Sequence, residues 1–162
     1  MSVMIRKMTE DEFSYVHQWS VEQYTKELMD ELQMSEEEAI KKTMEEVSEM
    51  LPDGLNTSNN YLMSIIEAES EEMIGFIWTL HEMTDGRKQC FICDFAVWES
   101  KQQKGYGKRA LDLTEQKAVE AGCQECVLFV NDHNHRAIKL YDKCGYEVLR
   151  QEKIGKYMMK QL

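Results

Sequence analysis

No apolar run in the 162-residue chain approaches the roughly 20 residues that a helix needs to cross a bilayer. The first residues, Met1-Ser2-Val3-Met4-Ile5-Arg6-Lys7, lack the long apolar stretch of a secretory signal. These two absences argue against a membrane partner and make the cytoplasm the default expectation. Basic side chains are also in short supply. There are 19 Lys and Arg against 30 Asp and Glu, a net charge of −11. Nucleic acid selects strongly basic surfaces, so no nucleic-acid partner is expected. There is no repeat, low-complexity tract or linker. The length suits one domain with a real core and is too short for two ordinary ones, so residues 1–162 are expected to form a single domain.

Several catalytic signatures are missing as well. The Walker pattern G-x-x-x-x-G-K-[ST] and the dinucleotide pattern G-x-G-x-x-G are absent. No cysteine stands with a matched His and Asn that would argue for an acyl-enzyme. The five cysteines include two C-x-x-C pairs, Cys90 with Cys93 and Cys123 with Cys126, and a lone Cys144. Such pairs can hold zinc when each sits on a tight turn. Here Cys90-Phe91-Ile92-Cys93-Asp94-Phe95-Ala96-Val97 reads as a strand, where residues three apart face opposite sides. Buried reduced thiols are the better reading, and no metal is expected.

What is present is an uneven charge and a clear succession of elements. Residues 1–72 carry 18 acidic and 5 basic side chains, while residues 73–162 carry 12 and 14. A solvated acidic helix face accounts for this, and it would also suit a cationic ligand. Val3 to Lys7 is a short strand. Thr9-Glu10-Asp11-Glu12 is a capping box that starts a helix to about Met29. Ser35-Glu36-Glu37-Glu38 caps a second helix to about Leu51, ended by Pro52-Asp53-Gly54. Tyr61 to Ala68 and Met73 to Met83 read as paired strands, and Asp85-Gly86 turns the chain into the strand from Cys90 to Val97. A helix to about Ala121, a strand from Cys126 to Asn131, a helix from Asn134 to Cys144 and strands at 146–149 and 154–162 complete the chain. Hairpins followed by strand–helix–strand predict a mixed sheet with packed helices, an α/β (α+β) domain.

The segment Val97-Trp98-Glu99-Ser100-Lys101-Gln102-Gln103-Lys104-Gly105-Tyr106-Gly107-Lys108-Arg109 carries the chemistry. A strand ends, a loop with two glycines follows, and a helix begins. Such a loop turns backbone N–H groups toward an anion, and the helix N-terminus adds partial positive charge. Lys104 and Lys108 add more. The composition fits a pyrophosphate cradle, although many loops of this kind only turn a corner.

This segment resembles the acyl-CoA loop of the GNAT N-acetyltransferase superfamily, Q/R-x-x-G-x-G/A, in Gln102-Gln103-Lys104-Gly105-Tyr106-Gly107. Downstream, Asn134-His135-Arg136-Ala137-Ile138-Lys139-Leu140-Tyr141-Asp142-Lys143-Cys144-Gly145-Tyr146 resembles the family's N-x-x-A-x-x-L-Y-x-x-x-G-F, with Tyr146 in place of the commoner Phe. The resemblance is specific over 90–150 and rests only on element order over 1–60. It implies a mostly antiparallel mixed sheet with one parallel, splayed pair and helices on both faces. Acetyl-CoA would be the co-substrate. Backbone amides from Gln103 to Lys108, with Gln102, would hold the pyrophosphate, Phe95, Ala96 and Val97 would pair with the pantetheine, and Asn134 would bond its arm. The Val97 N–H would polarise the thioester carbonyl. Tyr141, near the sulfur, would be the general acid, and the family's dimers make a homodimer an expectation.

Chemistry explains these needs. The acceptor must be a neutral amine, yet a free alkylammonium has a pKa of about 10, so a base must take its proton. The strand position where a family member carries a Glu is apolar here. Asp94 is the candidate base, the alternative being a structural carboxylate, with His81 and Glu82 weaker candidates. His133 and His135 read as surface residues. The acceptor would be a small amine or peptide amine of cationic character. A non-catalytic acyl-CoA-binding module is the rival reading.

Overall fold

In the computed structural model, which describes residues 2–162, the chain divides into two compact units. The first, residues 8–60, is helical. Helix α1 (Glu10–Leu32) starts at the expected capping box: the Glu12 N–H donates to Thr9 Oγ1 (3.1 Å) and the Thr9 N–H to Glu12 Oε1 (3.0 Å). It runs three residues past the expected Met29 because nothing in Asp30-Glu31-Leu32 breaks a helix. It stops where Gln33 turns left-handed at φ 52°. Helix α2 (Glu36–Met50) is capped by Ser35, whose Oγ accepts from the Glu38 N–H at 3.2 Å. The two helices pack on each other, with Val16 and Leu28 of α1 and Ala39 and Thr43 of α2 buried. A 3-10 turn at Gly54–Asn56 follows Pro52. Residues 8–60 hold 14 acidic and 3 basic side chains, so this unit carries a net −11, equal to the charge of the whole chain.

The second unit, residues 2–7 and 61–162, holds a seven-stranded sheet. Its strands are β1 (Val3–Lys7), β2 (Asn60–Glu67), β3 (Met73–Thr84), β4 (Arg87–Val97), β5 (Glu125–Asn131), β6 (Glu147–Gln151) and β7 (Gly155–Gln161). The spatial order is β1-β2-β3-β4-β5-β7-β6. Pairs β1–β2, β3–β4, β5–β7 and β6–β7 are antiparallel, and β4–β5 is parallel, joined through helix α3 (Tyr106–Glu120). Helix α4 (His135–Lys143) links β5 to β6. The mixed sheet with one parallel pair matches the expectation. The sequence did not reveal that β7 inserts between β5 and β6, leaving β6 as an exposed edge.

Alternation on the strands builds the core. Cys90 and Ile92 of β4, Cys126 and Leu128 of β5 and Met158 of β7 meet Leu111 and Ala118 of α3 and Tyr141 of α4. Cys90 and Cys126 are register partners, both fully buried, so the thiols meet across strands and not within either C-x-x-C. All five cysteines are reduced, and among the described residues no group of three or more His, Cys, Asp or Glu is placed to hold a metal ion. No described helix is long and apolar enough to cross a membrane.

Candidate active site

The site begins where the parallel pair parts. β4 and β5 are in register only from Gln89↔Glu125 to Ile92↔Leu128, yet β4 continues to Val97 and β5 to Asn131. A β-bulge causes the parting. Thr79 of β3 faces Ile92 and Trp78 faces Asp94, so Cys93 is the extra residue on β4. A bulge bends its strand and increases its twist, and here it does so at the point where pairing with β5 ends. Residues 94–97 therefore present one backbone edge that no strand covers.

Which groups lie on that edge follows from the alternation of strand N–H groups. The Trp98 N–H donates to Ile74 O on the β3 side (2.8 Å). The N–H of Val97, one residue back, consequently points to the open edge, as does that of Phe95. The Phe95 N–H is engaged by Asp94 Oδ1 at 2.9 Å. The Val97 carbonyl on the same edge accepts from Gln102 Nε2 at 2.8 Å, which ties the loop to the strand end. Gln102 Oε1 is buried without a hydrogen-bond partner.

The loop then turns into α3 through two left-handed residues, Gln103 (φ 62°) and Gly105 (φ 84°). A Cβ at Gly105 would meet nothing within 4 Å, so the backbone there is open to a ligand. Helices α1, α2 and α4 each have a side-chain cap, from Thr9, Ser35 and Asn134, whereas α3 has none. A helix N-terminus without a side-chain cap presents its first-turn donors and its partial positive charge to an anion. Lys104 and Lys108 are exposed beside it. Tyr106 contributes only backbone here, since its ring is buried among Val3, Ile65, Ile74 and Ala110.

Gly107 joins the two halves. A Cβ built there would lie 3.2 Å from Leu140 Cδ2, 3.7 Å from Phe95 Cζ and 3.9 Å from Val97 Cγ2. The first turn of α3, the end of β4 and helix α4 thus meet at one point. Tyr141, next to Leu140, is buried. Its hydroxyl is held protonated, first by burial, then by the nearby Asp94 charge and Cys144. The Asp94 charge thus reaches Tyr141, which lies in the core beneath helix α4. Asn134 is exposed and caps α4, its Oδ1 accepting from the Ala137 N–H at 3.2 Å, which leaves its NH2 as the group that can donate to a ligand.

The weaker candidates stand apart. His81 is opposite Cys90, on the paired side of the bulge, and packs against Tyr61 with the rings tilted at 41° and their centroids 4.4 Å apart. Burial lowers its pKa, with Lys88 adding to the effect. Glu82 accepts from Gln89 at 3.3 Å. His133 and His135 are exposed. Sequence reasoning passed over Glu67, at the end of β2. It accepts from the Tyr106 hydroxyl at 2.5 Å and pairs with Lys101 Nζ at 3.4 Å. Its only sequence signal was an acid at a strand end, and several neighbours share that feature.

The chain is similar to known proteins in sequence and in fold. Residues 13–146 match the Acetyltransferase (GNAT) family. The uncharacterized N-acetyltransferase YdgE of Bacillus subtilis is 32% identical over 146 residues, covering 90% of this chain and 92% of its own length. The crystal structure of YycN, also from Bacillus subtilis, superposes with a TM-score of 0.82 at 28% identity, over 94% of this chain and 99% of that one. The PaiA N-acetyltransferase of Thermoplasma acidophilum, in complex with coenzyme A, shares the fold at a TM-score of 0.76 and 21% identity, with 100% of both chains covered. The match over most of the chain, on the splayed strands and the open helix terminus described above, places this protein in the GNAT acetyltransferase family.

Proposed function

We propose that this chain acts as one N-acetyltransferase domain over residues 1–162 and moves the acetyl group of acetyl-CoA to a primary amine by direct attack in a ternary complex. The observation that carries this reading is the meeting, at Gly107, of an uncapped helix N-terminus with an uncovered strand edge. The first suits a diphosphate and the second suits the amides of a pantetheine arm. The coenzyme A bound to a protein of the same fold supports the pairing.

In this reading the amides from Gln103 to Lys108 bind the pyrophosphate, and residues Phe95, Ala96 and Val97 pair with the pantetheine. Gln102 holds the strand end and Asn134 donates to the arm. The Val97 N–H stabilises the negative charge that develops on the thioester oxygen as the amine adds. With its ammonium proton already lost to solvent, the neutral amine attacks, and Asp94 takes the second proton from nitrogen as the amine adds, releasing the Phe95 N–H to the ligand. The Tyr141 hydroxyl protonates the departing thiolate, after which the two side chains exchange the proton with solvent. The acceptor is a cationic amine, and the support for that class is the net −11 on residues 8–60. A groove of about 770 Å³ between α1 and α2, lined by Val21, Met29, Ile40 and Met44 with Glu22 and Asp30, suits an amine on an apolar body.

The rival, a CoA-binding module without turnover, differs in one measurable respect. The purified protein is expected to release free CoA thiol from acetyl-CoA in the presence of at least one member of a panel of di- and polyamines, aminoglycosides and basic peptides. Tight CoA binding without thiol release on any of them would favour the rival.

A further inference from the structure

The loop that faces the diphosphate is flanked by two residues, Lys101 before it and Tyr106 after it, whose side chains converge on a single carboxylate. Tyr106 Oη donates to Glu67 Oε2 at 2.5 Å, and Lys101 Nζ lies 3.4 Å from Oε1. Ser70 Oγ donates to Oε1 at 2.7 Å, so both carboxylate oxygens are engaged. The carboxylate sits on a fixed base. The Glu67 N–H donates to Glu72 O (2.9 Å) and the Glu71 N–H to Glu67 O (2.8 Å), closing the β2–β3 turn beneath it. Its side chain is 13% exposed and that of Lys101 is 25% exposed.

Between those two anchors lie Gln102 to Gly105, with left-handed backbone at Gln103 and Gly105. A non-glycine residue at positive φ costs free energy and persists only where the surroundings over-determine it. Here the surroundings are the Gln102–Val97 bond on one side and the Glu67 carboxylate at both ends. We propose that Glu67 is a positioning residue for the acyl-CoA pyrophosphate: by holding Lys101 and Tyr106 together it keeps the loop amides in their binding arrangement before the ligand arrives. This rests on the acetyl-CoA reading above.

An acid next to an anion site would repel the ligand if it acted through its field. The paired Lys101 offsets that field, and the two hydrogen bonds act on geometry. The two mechanisms separate experimentally. Glu67→Gln removes the charge and keeps an acceptor for Tyr106; Glu67→Ala removes both; Tyr106→Phe keeps the buried ring and removes the donor.

Calorimetric CoA titration and steady-state kinetics with acetyl-CoA and acetyl-pantetheine test the idea. Preorganisation lost at both anchors is expected to raise the CoA Kd and the acetyl-CoA KM of Glu67→Ala about ten-fold, with kcat at saturation within about two-fold of wild type. Tyr106→Phe, which keeps the Lys101 pair, should show part of that loss, and Glu67→Gln a smaller loss than Glu67→Ala. For acetyl-pantetheine, which has no pyrophosphate, kcat/KM should not change. An unchanged CoA Kd in Glu67→Ala would overturn the proposal. So would tighter binding by Glu67→Gln, or equal losses for acetyl-CoA and acetyl-pantetheine. Amide hydrogen exchange over residues 102–108 without ligand judges the clamp separately from the functional reading. Faster exchange in Glu67→Ala supports it and unchanged exchange sinks it, whereas wild-type protein that binds no CoA would instead overturn the acetyl-CoA reading.

Discussion

Tyr141 is the residue whose chemistry and burial agree most closely. Burial and the Asp94 charge raise the Tyr141 pKa and keep the phenol protonated; in the proposed step Asp94 loses that charge as it takes a proton, which eases proton transfer from Tyr141 to the thiolate. Tyr141→Phe keeps the buried ring, and the fold should survive. General acid catalysis is typically worth about 100- to 10,000-fold, so kcat should fall toward the lower end of that range because a CoA thiolate leaves readily. Steady-state kinetics beside direct CoA titration checks this; unchanged kcat with normal binding would remove Tyr141 as the acid. Glu67 makes a different kind of statement at this scale. Its pKa is lowered from 4.5 to about 2, first by the Tyr106 hydroxyl, then by Ser70 and Lys101, against an opposing effect of burial. The folded state therefore binds this proton less readily than the unfolded chain. The stability it contributes is full above about pH 4.5 and is lost as the pH falls toward 2. In Glu67→Gln the drop in melting temperature between pH 5 and pH 2 should be smaller than in wild type. An identical drop would show that this carboxylate does not titrate as described.

At the scale of elements, the β3–β4 pair sets the geometry of the site. Gly75 faces Val97, and a Cβ there would lie 2.2 Å from Ala96 O and 2.9 Å from Val97 Cα. Both are backbone atoms, so no side-chain rotation relieves the clash. Gly75→Ala must displace the end of β4, the segment that presents the Val97 N–H. Overpacking of this kind typically costs about 1–3 kcal/mol, and kcat should fall with it. Urea denaturation and turnover measured together test the link; full activity at reduced stability would argue that the strand end does not set the oxyanion donor. The capping box at Thr9 and Glu12, the strand from Val3 to Lys7 and the loop at Gln102–Gly107 were legible because each depends on neighbours in sequence. The bulge at Cys93 was not, since it is a mismatch of register between β3 and β4. No residue of β4 by itself announces it.

For the whole molecule, the charge distribution has a kinetic consequence. Residues 8–60 carry the net −11, and the rest of the chain is balanced at 16 acidic and 16 basic side chains. A cationic acceptor should be drawn to the acidic helices at low salt, and this attraction is screened once the Debye length falls to about 10 Å near 0.1 M salt. The kcat/KM for a polyamine should therefore decline several-fold between about 20 and 500 mM salt, more steeply than for a monoamine. Equal salt dependence for the two would argue against a cationic acceptor class.

Local sequence determined the elements, because caps, turn residues and periodicity act within a few residues of one another. It also determined the loop proposed to bind the pyrophosphate, where two glycines, the lysines and a helix start occur in one continuous segment. Tertiary structure decided what that loop is set against. The parting of β4 from β5, the insertion of β7 between β5 and β6, the contact of Cys90 with Cys126 and the convergence of Lys101 and Tyr106 on Glu67 all join residues far apart in the chain. Strand order and register are chosen by the total apolar surface that the assembled sheet buries, a quantity that no single segment holds.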